Sequence, residues 1–149
     1  MMKMLLTAYR VGNLARSVDF YAKVGFREIG RATFENGTTR VMLNLPGDGD
    51  VATIELVDDR SVGSIELGNG FSHIAVQVDD LAAALADLAR EGIASDGIEL
   101  PGGQAGPAVA NLRDPDGYQI ELVQWPPGHP DGITSADFPL SADRGPRRP

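Results

Sequence analysis

Apolar positions along this chain recur with two different periods, and the switches between them mark out its elements. Residues 4–11 read as a strand, ended by Gly12-Asn13. Over 14–24 the apolar residues Leu14, Val18, Tyr21 and Val24 fall on one face of a helix. Asn13 is placed to cap that helix and Gly25 to stop it. Three strands are predicted next, over 26–34, 38–45 and 51–57. Glu35-Asn36-Gly37 supplies a hairpin turn between the first two, and Pro46-Gly47-Asp48-Gly49-Asp50 a loop before the third.

The same order then returns. Residues 58–70 are polar and glycine-bearing, as a linker is, and 71–78 reads as a strand. A helix follows over 81–90, with Leu81, Leu85 and Leu88 on one face, Asp79 or Asp80 as its cap and Gly92 as its stop. Strands are predicted over 93–100, 108–113 and 118–125, the last two joined by the turn Asp114-Pro115-Asp116-Gly117. Strand, helix and three strands thus appear twice, with strand starts at 4 and 71 about 67 residues apart. The pattern predicts an α+β fold. Two βαβββ modules, about 4–57 and 71–125, form paired curved sheets around a cleft, in one domain over 4–126. Residues 127–149 carry scattered prolines and no sustained period, and are expected to be an extended or disordered tail. Ile133, Phe138 and Leu140 are its residues able to pack on the body or on a neighbouring chain.

Composition and charge remove several classes. There is no cysteine, so thiolate catalysis, disulfides and Cys-ligated metals are excluded. No apolar run approaches the ~18 residues of a membrane span. Met1-Met2-Lys3-Met4-Leu5-Leu6 is too short for a signal-peptide core, so a cytoplasmic protein is expected. Thirteen basic residues against 21 acidic ones leave a net charge of -8. The one basic cluster, Arg144, Arg147 and Arg148, sits in the tail, so nucleic acid is not an expected partner. His73 and His129 are the only histidines, so one chain cannot build a three-histidine site.

Three ionisable residues interrupt apolar strands: Glu55 within Ile54-Glu55-Leu56, His73 within Ser72-His73-Ile74, and Glu121 within Ile120-Glu121-Leu122. Alternation places their apolar neighbours on one face and all three on the other. Any one of them on the free face of a sheet would be an ordinary exposed side chain. Three facing one cleft would repel and be desolvated. A divalent metal is the simplest remedy, a proton shared between the carboxylates the other.

Motifs around these residues resemble a known family. Leu14-Ala15-Arg16-Ser17-Val18-Asp19-Phe20-Tyr21 is similar to the L-x-R-S-x-x-F-Y helix of the vicinal oxygen chelate superfamily, which includes glyoxalase I, extradiol dioxygenases and bleomycin-resistance proteins. Ser72-His73-Ile74-Ala75-Val76-Gln77-Val78 and Asp114-Pro115-Asp116-Gly117-Tyr118-Gln119-Ile120-Glu121-Leu122 resemble its G-H-I-A-x-x-V and D-P-D-G-x-x-I-E-L strands. The resemblance spans about residues 4–125 and points most closely to bacterial glyoxalase I-like proteins. It implies a metal-assisted lyase/isomerase acting on a small oxygen-chelating substrate, assembled as a homodimer. By resemblance, Glu55, His73 and Glu121 hold a divalent ion (Ni, Zn, Co, Mn or Fe), Glu121 is also the catalytic base, and Arg10 contacts substrate. Two positions depart from the pattern. Leu6 stands where the family has its first metal-binding histidine, and Asp59 where an asparagine is expected. The acid at 59 would disfavour a glutathione carboxylate, so glutathione dependence is not implied. The other branch of the family implies a metal-free small-molecule binding protein of the bleomycin-resistance type. Phe34, Phe71, Tyr118 and Trp125 would then line the cleft for a flat or cationic ligand. His129, in Pro127-Gly128-His129-Pro130, is expected to be a plain surface residue.

Overall fold

The computed structural model describes residues 1–138. Strand β1 (Thr7–Arg10), helix α1 (Leu14–Val24) and strands β2 (Arg27–Thr33), β3 (Thr39–Asn44) and β4 (Ile54–Asp58) form the first module. Its sheet runs in the order β1-β4-β3-β2, parallel between β1 and β4 and antiparallel elsewhere. Strand β5 (Ile74–Gln77), helix α2 (Leu81–Arg90) and strands β6 (Ala108–Arg113) and β7 (Gln119–Gln124) form the second. Here the order is β5-β7-β6, again with the first strand parallel to the last. The doubled α+β architecture is therefore present as one four-stranded and one three-stranded mixed sheet.

The strand expected over 93–100 shrinks to a single bridge, Glu99 to Val109. The Asp96 carboxylate accepts the Asn111 backbone N–H at 2.7 Å and its side-chain amide at 3.0 Å, and Gly97 turns to φ 93°. A side chain has taken a ladder partner, and the left-handed glycine bends the chain away.

Both helices begin as their caps dictate. The Asn13 side chain accepts from Arg16 N at 3.0 Å, and Asp80 accepts from Ala83 N at 2.9 Å. Gly25, at φ 120°, ends α1. The buried face of α1 is Leu14, Ser17, Phe20 and Tyr21, one step round from the face expected, with Val18 and Val24 at its margin. Burying Ser17 lets the helix approach the 114–117 turn, where the Ser17 hydroxyl meets Asp116 Oδ2 at 3.4 Å. Tyr21, Leu43 and Leu56 of the first module and Leu81, Leu112, Ile120 and Leu122 of the second belong to one apolar cluster.

Polar bonds close the seam between modules. Asp116 Oδ1 accepts from Gly12 N at 3.1 Å, Tyr21 donates to Asp114 Oδ2 at 2.9 Å, and Tyr118 donates to the Arg10 carbonyl at 2.9 Å. A Cβ at position 12 would lie 2.9 Å from Asp116 Oδ1, so any larger residue there would push that carboxylate off the Gly12 N–H.

Of the segment expected to be a tail, residues 127–138 are described. They fold back on β5. Gln77 Oε1 accepts from Trp125 Nε1 at 3.0 Å and from Gly132 N at 2.8 Å, and Gln77 Nε2 donates to Asp131 at 2.8 Å. Ile133 and Phe138 remain exposed rather than packing on this chain. Leu140 and the Arg144, Arg147 and Arg148 cluster lie outside the described residues. No helix of the described residues is long and apolar enough to cross a membrane.

Candidate functional site

Register makes the two sheets directly comparable. Glu55 on β4 lies opposite Ala8 of β1, and Glu121 on β7 lies opposite Ala75 of β5. Leu6 stands two residues before Ala8, and His73 two before Ala75. Positions two apart share a face. The pairs Leu6/Glu55 and His73/Glu121 are therefore counterparts, one per module.

In the second module the pair comes together. His73 Nε2 lies 3.7 Å from Glu121 Oε1, with the side chains 34% and 27% exposed. That is too long for a hydrogen bond. The Ser72 hydroxyl sits 2.7 Å from His73 Nδ1. In the tautomer that donates from Nδ1 to Ser72, the Nε2 lone pair and a carboxylate oxygen converge on one point, as two ligands of a shared cation do.

In the first module Glu55 takes a different partner. Its carboxylate is buried, and Arg40 Nη1 lies 3.0 Å from Oε1. Met42 of β3 is opposite Glu55, so Arg40, two residues back, reaches it diagonally along the same face. The Arg40 guanidinium also lies 5.1 Å from the Phe34 ring centroid.

The three expected donors thus divide. His73 and Glu121 meet, while Glu55 stands on the other sheet, paired with Arg40. Among the described residues no three His, Asp or Glu side chains gather in one metal-holding group. One imidazole and two carboxylates fit the chemistry of a borderline divalent ion. His73, with its second ring nitrogen engaged by Ser72, is poised as a metal-binding histidine is. One chain therefore brings two of the three expected donors together.

Arg10 is exposed on β1, opposite Val57. Asp59 accepts from the Ser61 hydroxyl at 2.6 Å and from Ser61 N at 3.1 Å. Those bonds, with Arg10 nearby, hold its carboxyl below the ordinary range. Its charge is thereby engaged by the one-turn 3-10 helix Arg60–Val62 that it caps.

Each aromatic residue named as a possible cleft lining has a partner within the chain. Phe34 faces Arg40, Phe71 packs edge-on against Tyr118 at 5.9 Å, and Tyr118 contacts Tyr9 at 4.7 Å. Trp125 stacks on His129 at 4.0 Å. His129 is thus no plain surface residue. Its Nε2 lies 2.5 Å from Asp137 Oδ1, and that bond raises its pKa. Sequence reasoning also passed over Arg40 and Gln77. Each is a polar residue on an alternating strand, the same signal that singled out Glu55.

The fold is a pair of βαβ-based modules with mixed sheets, carrying an imidazole–carboxylate pair on the second. The family model of the glyoxalase/bleomycin resistance protein/dioxygenase superfamily matches residues 3–122. The chain belongs to that superfamily. It is 38% identical over 128 residues to a lactoylglutathione lyase of Escherichia coli O157:H7, covering 83% of this chain and 93% of that one. It is 34% identical over 127 residues to the enzyme of the same name from Neisseria meningitidis serogroup A, covering 83% and 91%. Among solved structures it is similar to the trypanothione-dependent glyoxalase I of Leishmania major. The TM-score is 0.70 at 30% identity, over 83% of this chain and 87% of that chain.

Proposed function

We propose that this protein is a glyoxalase I-like lyase/isomerase of the cytoplasm that moves a proton on a small substrate presenting two neighbouring oxygens. A divalent ion (Ni, Zn, Co, Mn or Fe) is held by Glu55, His73 and Glu121. The observation that carries the reading is the convergence of His73 Nε2 and Glu121 Oε1 at 3.7 Å, both within the residues that the superfamily model matches. An ion bound there supplies Lewis-acid polarisation of the substrate oxygens.

The rest is the work of the chain's own residues. Glu121 is partly exposed and has no hydrogen-bond donor holding it among the described residues, so its carboxylate accepts the substrate proton and returns it. Ser72 fixes the His73 ring. Arg10, exposed at the end of β1, meets the anionic part of the substrate. A third donor reaches His73 and Glu121 when a second copy brings its Glu55 to them, so the working unit is a homodimer.

Lactoylglutathione, the compound in the relatives' name, sets the first substrate class to test. Asp59 is held ionised by its bonds to Ser61, so it opposes a carboxylate placed beside it, and the assay includes other thiols for that reason. The assay supplies glutathione with a three-carbon 2-oxoaldehyde and follows thioester absorbance, using protein purified without chelator and analysed for metal. Thioester formation that stops on chelation and falls about 10²–10⁴-fold in Glu121→Gln is expected. No thioester with glutathione or another thiol, and no co-purifying metal, would sink the reading and leave the binding-protein branch ahead.

A further inference from the structure

The Leu6/Glu55 and His73/Glu121 pairs are built on one plan but completed differently. Glu121 has an imidazole beside it, supplied by the position two residues before its cross-strand partner. Glu55 has Leu6 at the matching position, and leucine offers a carboxylate nothing. A carboxylate buried to 6% exposure and left alone would be strongly disfavoured. The compensating charge comes from β3 instead. Arg40 spans the diagonal to Glu55 at 3.0 Å and rests over the Phe34 ring. Its side chain is 45% exposed, against 8% for Glu55, so the guanidinium closes the open side of a buried carboxylate.

We propose that Arg40 is an internal competitor for the metal. It occupies one oxygen of the Glu55 carboxylate when no ion is bound, and its charge opposes any ion that Glu55 takes as a ligand, so it sets the affinity of the site. The inference rests on the metal-assisted reading above. A guanidinium on Oε1 and a divalent cation on either oxygen of the same buried carboxylate repel each other. Every ion bound therefore weakens the Arg40–Glu55 bond and favours Arg40 turned toward solvent.

Calorimetric titration of the full chain with Mn²⁺ and Ni²⁺, together with thermal melting with and without each ion, tests it. Arg40→Met should bind about 10- to 100-fold more tightly than the natural chain. Without ion it should melt lower, because a buried charge has lost its partner, and it should gain more on adding ion. Arg40→Lys, which keeps a charge but loses the planar fork, should fall between, and it decides the question if Arg40→Met does not fold. In Arg40→Met combined with Glu55→Gln the gain should vanish. Equal or weaker binding by both single variants, or a gain that survives in the double variant, overturns the inference and leaves metal binding intact. Uptake by Arg40→Met alone supports the inference and overturns the metal-assisted reading of the natural chain. No uptake by any form overturns both.

Discussion

Tyr9 and Tyr21 lie 6.2 Å apart, ring to ring, yet their hydroxyls stand differently. Tyr21 donates to Asp114, whose carboxyl is pushed up by burial and drawn back down by that bond and by the Tyr118 and Asp116 N–H groups. The Tyr9 hydroxyl is buried with no hydrogen-bond partner among the described residues. Removing one partner of a buried pair costs more than removing a group that has none. Tyr21→Phe should therefore lose about 1–3 kcal/mol in urea denaturation, while Tyr9→Phe should be neutral or stabilising. At the site, Leu6→His should tighten Ni²⁺ binding about ten-fold or more in calorimetry, since an imidazole there reproduces the His73/Glu121 arrangement beside Glu55. Weaker binding would show that position 6 does not face the ion. Glu55, His73 and Glu121 stood out in the sequence because ionisable groups break apolar strands. Arg40 did not, because an arginine on an alternating strand reads as solvent-facing. The diagonal to Glu55 exists only once the β3–β4 register is known.

Among the elements, those with strong local signals were legible: both capped helices and the β2–β3 hairpin. The failure at 93–100 is a competition that single-strand patterning does not see, since Asp96 takes its bonds from Asn111 across the sheet. The segment after β7 was illegible for a related reason. Its partner, Gln77, is 55 residues from Gly132. That segment carries a measurable pH response. The Asp137 bond raises the His129 pKa, and backbone Thr134 with His129 lowers that of Asp137. Both charges are present between the depressed Asp137 value and the elevated His129 value. The clasp's ionic contribution is complete below the ordinary histidine value near 6.5 and is lost as pH rises through the raised one. Trp125, the single tryptophan, stacks on His129 and reports this directly. Its fluorescence should titrate with a midpoint above 6.5, and Asp137→Asn should bring that midpoint down.

For the whole molecule, the doubled order of elements was readable because each module repeats the same local pattern. The division of the three donors between two sheets was readable too; what could not be read was that His73 meets Glu121 while Glu55 takes Arg40. That division makes assembly a prediction. Light scattering at micromolar concentration should give about twice the 15.8 kDa chain mass. A monomer with full activity would contradict a site shared between copies. The seam has a consequence for the order of synthesis. Gly12, Tyr21 and Arg10 find their partners 104, 93 and 108 residues further along. A chain leaving the ribosome exposes α1 long before the 114–118 turn exists. At about 5–20 residues per second, that gap lasts roughly 5–20 s. Through that interval the first sheet holds its helix by apolar contact alone, with the Tyr21 hydroxyl and Gly12 N–H in water. Completion of the final hairpin thus supplies the last partners of the seam, and the polar bonds that join the modules can form only then.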